Sequence, residues 1–156
     1  MSHIHKSILI NAPVEKVYNF ARDPRRWNTF FVGLGAPEDI KGNGEAGTTV
    51  KQNFTMLGIA FPITTRVVDE KLVGTKAYWK GAVEGPLTAT NDWNYTAKGP
   101  DQTEIAVDID YTIPGKLLGK ITDKLLVEKI QDKAAATTLE NFKLLCEAEV
   151  AAPVFA

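Results

Sequence analysis

Between Pro114-Gly115 and Glu147 the chain runs without a proline and with one glycine, Gly119. Proline and glycine disrupt a helix interior more than any other residues, so the stretch predicts one long helix. Leu118, Ile121 and Leu125, then Leu126, Ile130, Ala134 and Thr137 or Thr138, recur at three- and four-residue intervals, and Leu139, Phe142 and Leu145 carry the stripe on. Lys120, Lys124, Lys129, Asp132 and Lys133 fall mostly elsewhere, as on a helix with one apolar face. At 1.5 Å per residue, roughly 30 residues reach about 45 Å, enough to cross a whole small domain. Such a helix needs a broad apolar surface to lie on.

The preceding residues supply one. Thr48 to Met56 alternates, with Val50, Gln52, Phe54 and Met56 on one side; Ile63 to Val68, Lys76 to Val83, Thr88 to Tyr95 and Thr103 to Tyr111 are also strand-like. Gly58, Gly74, Gly85-Pro86 and Gly99-Pro100-Asp101 separate these runs with turn chemistry. Connections this short predict antiparallel neighbours. An opening strand is expected over Ile4 to Ile10, where Ile4, Ile8 and Ile10 share a face that Lys6 interrupts, and a further short strand near Phe30 to Leu34. Asn11-Ala12-Pro13-Val14-Glu15 and Asp23-Pro24-Arg25-Arg26-Trp27 each read as a helix start, with proline where a missing N–H does no harm. The order is therefore strand, two short helices, a meander of about six strands and one long helix, an α+β class. One domain over 1–148 is expected, with 149–156 a flexible tail.

Composition narrows the function. With 44% hydrophobic and 24% charged residues the chain is an ordinary globular one, and 156 residues bury enough surface to need no staple. Eighteen basic against 19 acidic residues leave a net charge of -1, without the surplus that phosphate neutralisation requires, so no nucleic-acid partner is expected. Cys146 is the lone cysteine, which excludes an intrachain disulfide. Met1 to Lys6 lacks the apolar stretch of a signal peptide, and no window approaches the ~18 apolar residues of a membrane-spanning helix. The expectation is a cytoplasmic protein, monomeric or weakly dimeric, that does not insert into membranes.

Four landmarks carry a resemblance. Ile8-Leu9-Ile10-Asn11-Ala12-Pro13-Val14-Glu15-Lys16-Val17 resembles the opening of the polyketide cyclase/dehydrase-like branch of the SRPBCC superfamily, and Asp23-Pro24-Arg25-Arg26-Trp27 its next landmark. Asp110-Tyr111-Thr112-Ile113-Pro114-Gly115 with Leu118-Gly119-Lys120 resembles the entry to that family's last helix, and Leu139-Glu140-Asn141-Phe142-Lys143 its end. The resemblance spans about residues 4 to 148. It implies a helix-grip fold, shared with START lipid-transfer domains, the birch pollen allergen and aromatase/cyclases, in which a curved sheet and the long helix enclose an apolar cavity. The superfamily contains both carriers and enzymes, so fold is implied more firmly than function.

Several motifs are weighed and set aside. Gly42-Asn43-Gly44-Glu45-Ala46-Gly47 satisfies G-x-G-x-x-G, but a strand follows it where a dinucleotide site needs a helix N-terminus, and Glu45 repels phosphate. No nucleotide or other cofactor is expected. His3 and His5 lack a third histidine or a second cysteine to complete a metal site, and none is expected. With no histidine elsewhere, no Ser-His-Asp or Cys-His arrangement forms in the body of the domain, leaving Asp108, Asp110 or Tyr111 as acid/base candidates. Ile105, Val107, Ile109 and Tyr111 should face inward, which turns both aspartates outward.

The aromatic residues are more informative. A single sheet and helix around a strongly curved space do not readily fill it, and a residual apolar cavity with a few polar groups is the usual small-molecule site. Trp27, Phe54, Tyr78, Trp79, Trp93, Tyr95 and Tyr111 lie on the helices and strands expected to surround it. The contacts singled out are Trp27, Phe54, Trp93 and Tyr111, with Gln52, Thr65, Arg66 and Tyr78 as polar handles and Leu118, Ile121 and Leu125 from the helix. The leading reading is noncatalytic binding or transport of a hydrophobic small molecule, lipid-like or aromatic. The rivals are a cyclase/dehydratase-type enzyme using Asp110 or Tyr111, and a protein-interaction module that uses the long helix.

Overall fold

A computed structural model of the chain describes residues 1–115, 117 and 123–152. Strand β1 (Ser2–Ile10) leads into helix α1 (Val14–Arg22), a 3-10 turn (Pro24–Arg26) and the single helical turn α2 (Trp27–Phe30). Strands β2 (Asp39–Lys41), β3 (Thr49–Met56), β4 (Ile59–Val73), β5 (Lys76–Glu84), β6 (Ala89–Gly99) and β7 (Gln102–Tyr111) follow, then helix α3 (Lys124–Ala151). The strands form one antiparallel sheet in the order β1-β7-β6-β5-β4-β3-β2. The sheet is curved and the long C-terminal helix completes an α+β helix-grip architecture, as the sequence predicts.

Three elements depart from expectation, each for a local reason. Strand β4 is longer at both ends than Ile63 to Val68. Pro62 pairs with Asn53 of β3, but β5 first pairs at Thr64, so the missing N–H costs no ladder bond. A bulge between Val67 and Asp69 then reverses the strand's inward parity and turns Glu70 toward α1, where it accepts hydrogen bonds from Tyr18 Oη and from Arg22 (3.1 Å). The strand expected near Phe30 to Leu34 is only a bridge between Leu34 and Phe54; the edge strand is β2, paired to β3. Helix α3 is capped by Asp123, whose Oδ1 accepts from the N–H groups of Leu125 (3.0 Å) and Leu126 (3.3 Å). It runs on through Ala151, into the segment expected to be a tail.

The buried face of α3 is also turned from the expected leucine stripe. Val127, Thr138, Leu139, Phe142 and Cys146 are buried, while Leu125, Leu126, Leu144 and Leu145 are exposed. Apolar residues occur on more than one side of this helix, so hydrophobicity alone does not fix its rotation. Polar anchors help to do so. Lys6, the residue that interrupts the face of β1, donates to Asp132 (2.8 Å), and Lys143 donates to the Leu9 carbonyl (2.7 Å). Arg26 forms a two-pronged pair with Glu149 (2.6 and 2.8 Å).

Candidate functional site

Between the concave face of the sheet and α3 lies a cavity of about 120 Å3, many times the ~10–15 Å3 that one water needs. Its floor is built by strand alternation. Phe54 and Met56 come from β3, Ile63 and Thr65 from β4, Trp79 and Val83 from β5, and Ile109 and Tyr111 from β7. Strand β6 contributes Ala89, Asn91, Trp93 and Tyr95. Trp27 and Phe30, with Phe31, Val32 and Leu34 just after α2, form a side wall, and α3 closes the top with Gln131, Ala134, Ala135 and Thr138. The wall is tied to that roof: the Val32 N–H donates to Thr138 Oγ1 (3.0 Å), and Asn141 Nδ2 to the Phe30 carbonyl (3.3 Å).

The sequence reading placed Trp27, Phe54, Thr65, Trp93 and Tyr111 in the lining, and the structure brings all five together there. Four other assignments need correction. Gln52 is buried but outside the cavity, donating to the Gly35 carbonyl (3.0 Å) beneath the wall. Tyr78 is on the outer face of β5, where it donates to Asp92 (2.9 Å); burial and that bond push its phenol up to about 12. Arg66 points outward to Glu84 (2.9 Å). Leu125 is 60% exposed in the first turn of α3, which begins at Lys124 behind the Asp123 cap and presents another face to the sheet. Leu118 and Ile121 lie outside the described residues.

The acid/base candidates divide cleanly. Asp108 and Asp110 are on the outer face of β7, hydrogen-bonded to His5 (2.8 Å) and His3 (2.7 Å) across the β1 pairing. Those bonds occupy the histidines, and Asp110 holds the His3 imidazole above its ordinary pKa. Tyr111 alone faces the cavity, and burial pushes its phenol above the usual range, so it is a neutral hydrogen-bond donor at neutral pH. Cys146, one helical turn beyond Phe142, is fully buried, its thiol pushed up to about 12 by that burial, which makes it packing rather than a nucleophile. The glycine-rich 42–47 segment is a loop between β2 and β3; Gly42, Gly44 and Gly47 take positive φ of 111°, 102° and 96°.

Trp79, expected among the aromatics around the cavity but not singled out as a ligand contact, and Asn91, not expected there, both line it. A signal for Trp79 exists at Gly81. A side chain there would run into the Trp79 ring, so the glycine lets the indole lie back along the strand. Trp79 Nε1 and Asn91 Oδ1 are buried and find no hydrogen-bond partner among the described residues, whereas the Tyr111 hydroxyl is directed at the buried hydroxyl of Ser2, its partner residue on β1. No Asp, Glu, Lys, Arg or His is among the described residues of the lining. No group of three His, Cys, Asp or Glu side chains suited to a metal occurs among the described residues, and no described helix is long and apolar enough to cross a membrane.

A curved antiparallel sheet closed by a long C-terminal helix over an apolar cavity defines the helix-grip class within the SRPBCC superfamily. The chain belongs to the family described as polyketide cyclase / dehydrase and lipid transport, whose model matches residues 1–147. Among solved structures it is similar to the Zhui aromatase/cyclase of Streptomyces sp. R1128, with a TM-score of 0.77 and 16% identity over 97% of this chain and 96% of that one. A START superfamily protein from Mycobacterium smegmatis aligns with a TM-score of 0.62 and 15% identity, covering 95% and 96% of the two chains. Norcoclaurine synthase from Thalictrum flavum, solved with dopamine and hydroxybenzaldehyde, gives 0.62 and 14% over 98% and 89%. At such identities the likeness is one of fold. No curated protein matches the sequence.

Proposed function

We propose that the chain binds and carries a hydrophobic small molecule in the cavity between sheet and helix, without transforming it. The observation that carries this reading is the cavity itself, about 120 Å3 walled mainly by aliphatic and aromatic side chains, with a few neutral polar ones and no charged side chain in its described lining. Burying an apolar molecule there gains roughly 25 cal/mol per Å2 of surface removed from water, less the cost of immobilising it. A neutral fluorescent hydrophobe such as N-phenylnaphthylamine is expected to bind one to one, and Phe54→Ala or Trp93→Ala to weaken it. Unchanged affinity in both variants rejects this cavity as the binding site.

A second reading, a cyclase/dehydratase-type enzyme, is favoured by one observation: the Tyr111 phenol sits in the cavity wall as a neutral proton donor. Asp110, turned to the outer face, counts against a carboxylate mechanism. Under this reading Tyr111→Phe lowers turnover of a bound polyketone far more than it lowers affinity, and equal turnover in that variant removes it.

A further inference from the structure

Two buried polar atoms of the lining that have no partner among the described residues stand on neighbouring strands. On β6, Asn91 lies directly opposite Gly81 of β5 and Ile109 of β7. Trp79 occupies a diagonal position on β5, opposite Trp93. Its indole lies over Gly81, the residue that faces Asn91. Asn91 is 8% exposed and the Trp79 N–H is buried, so neither polar group is served by bulk water. The hydroxyl of Tyr111, on the far side of β6, is directed at Ser2 of β1 instead. An indole N–H and an amide carbonyl oxygen thus remain unpaired on adjoining strands of the floor. Each buried group left unpaired costs ~1–3 kcal/mol, which a ligand group that pairs with it recovers.

Their chemistry specifies the partner. Asn91 Oδ1 needs a donor and Trp79 Nε1–H an acceptor. A hydroxyl offers both. A carboxylate meets an unpaired carbonyl oxygen and no cation in the described lining, and an ammonium meets no anion, so either would be buried without a counter-charge, at a cost of several kcal/mol. We propose that Asn91 and Trp79 select a neutral hydroxylated hydrophobe, an alcohol or phenol, over both the bare hydrocarbon and its carboxylate. This rests on the cavity being a ligand site.

The test is a matched series at about pH 7: naphthalene, 2-naphthol and naphthalene-2-carboxylate, each titrated by competition against N-phenylnaphthylamine. The expected order is 2-naphthol at least ~10-fold tighter than naphthalene, with the carboxylate weakest. The readout in variants is the naphthol-to-naphthalene ratio, which Asn91→Leu brings to within about twofold and Trp79→Phe lowers part of the way. Equal affinities for naphthalene and 2-naphthol in the wild type, a ratio that survives Asn91→Leu, or a carboxylate that binds as tightly as the naphthol overturns the selection while leaving the cavity a hydrophobic site. Failure of every probe, N-phenylnaphthylamine included, overturns both.

Discussion

The space between sheet and helix has two ends that differ in how they are filled. At one end α3 presents Phe142, which makes edge contacts with Phe20 (5.2 Å) and Phe30 (5.0 Å) and approaches Trp93 (6.1 Å). Tyr18 packs edge-on against Tyr95 (5.6 Å), and Cys146, one turn beyond Phe142 on the same helix, is fully buried. At the other end the same helix, two turns earlier, presents Ala134 and Ala135, with Gln131 beside them. The sheet's lining does not compensate fully, because it includes the small or polar Thr65, Ala89 and Asn91. The packed end holds the helix; the end walled by small residues leaves the cavity. Side-chain size along one helix face, more than any polar motif, decides where a ligand goes.

Breaking the packed end should cost the most. Phe142→Ala removes a fully buried ring from the aromatic cluster and is expected to destabilise the fold by ~3–5 kcal/mol, read from the urea midpoint at constant slope. Filling the other end should do the opposite. Ala135→Leu projects a branched side chain into the cavity; stability is expected to change by less than about 1.5 kcal/mol while N-phenylnaphthylamine binding weakens at least ~10-fold. If Ala135→Leu instead unfolds the chain as severely as Phe142→Ala, the two ends are equally packed and the contrast fails.

A smaller effect is expected where α3 begins. Asp123→Ala removes the side chain that accepts from two N–H groups and should lower stability by ~1 kcal/mol, seen as earlier amide exchange in the first turn. The smallest lies on the outer face, away from both ends. Asp110 raises the folded pKa of His3 above 6.5, so the pair stabilises the fold below that value and the contribution fades as pH rises through the raised pKa. Because His3 is exposed, the effect should be slight and screened by salt. His3→Gln should flatten that part of the stability-versus-pH curve.

How much of this was legible in the sequence follows from which residues carry unambiguous periodicity. On β3, Val50, Gln52, Phe54 and Met56 alternate with polar neighbours, and that register is the observed one. On β5 the run Ala77-Tyr78-Trp79-Lys80 has an aromatic on each face, so a period of two cannot choose between them. Gly81 chooses, since only its missing side chain lets the Trp79 ring fold back, but that is a packing fact rather than a pattern. Helix α3 shows the same limit. Its existence is plain from composition, yet leucines on several faces hide which side is buried, and the deciding residues, Ala135, Thr138 and Phe142, differ in size more than in hydrophobicity. Tyr111 was legible because β7 alternates cleanly, while Asn91, a polar residue on an inward face, violates the rule that finds core positions.

The three tryptophans of the chain, Trp27, Trp79 and Trp93, all line the cavity, and they make the central claim directly testable. The measurement is a two-dimensional 1H–15N NMR titration with 2-naphthol, following the three indole N–H signals together with the amides of α3. The account predicts a saturable one-to-one shift of all three indole signals, largest at Trp79, whose N–H is unpaired, and smaller at Trp27, whose N–H is held by the Ala21 carbonyl (2.9 Å). Amides around Ala135 should move with them. Shifts confined to the exposed face of α3 around Leu125, Leu144 and Leu145, with the indole signals unmoved, would contradict it.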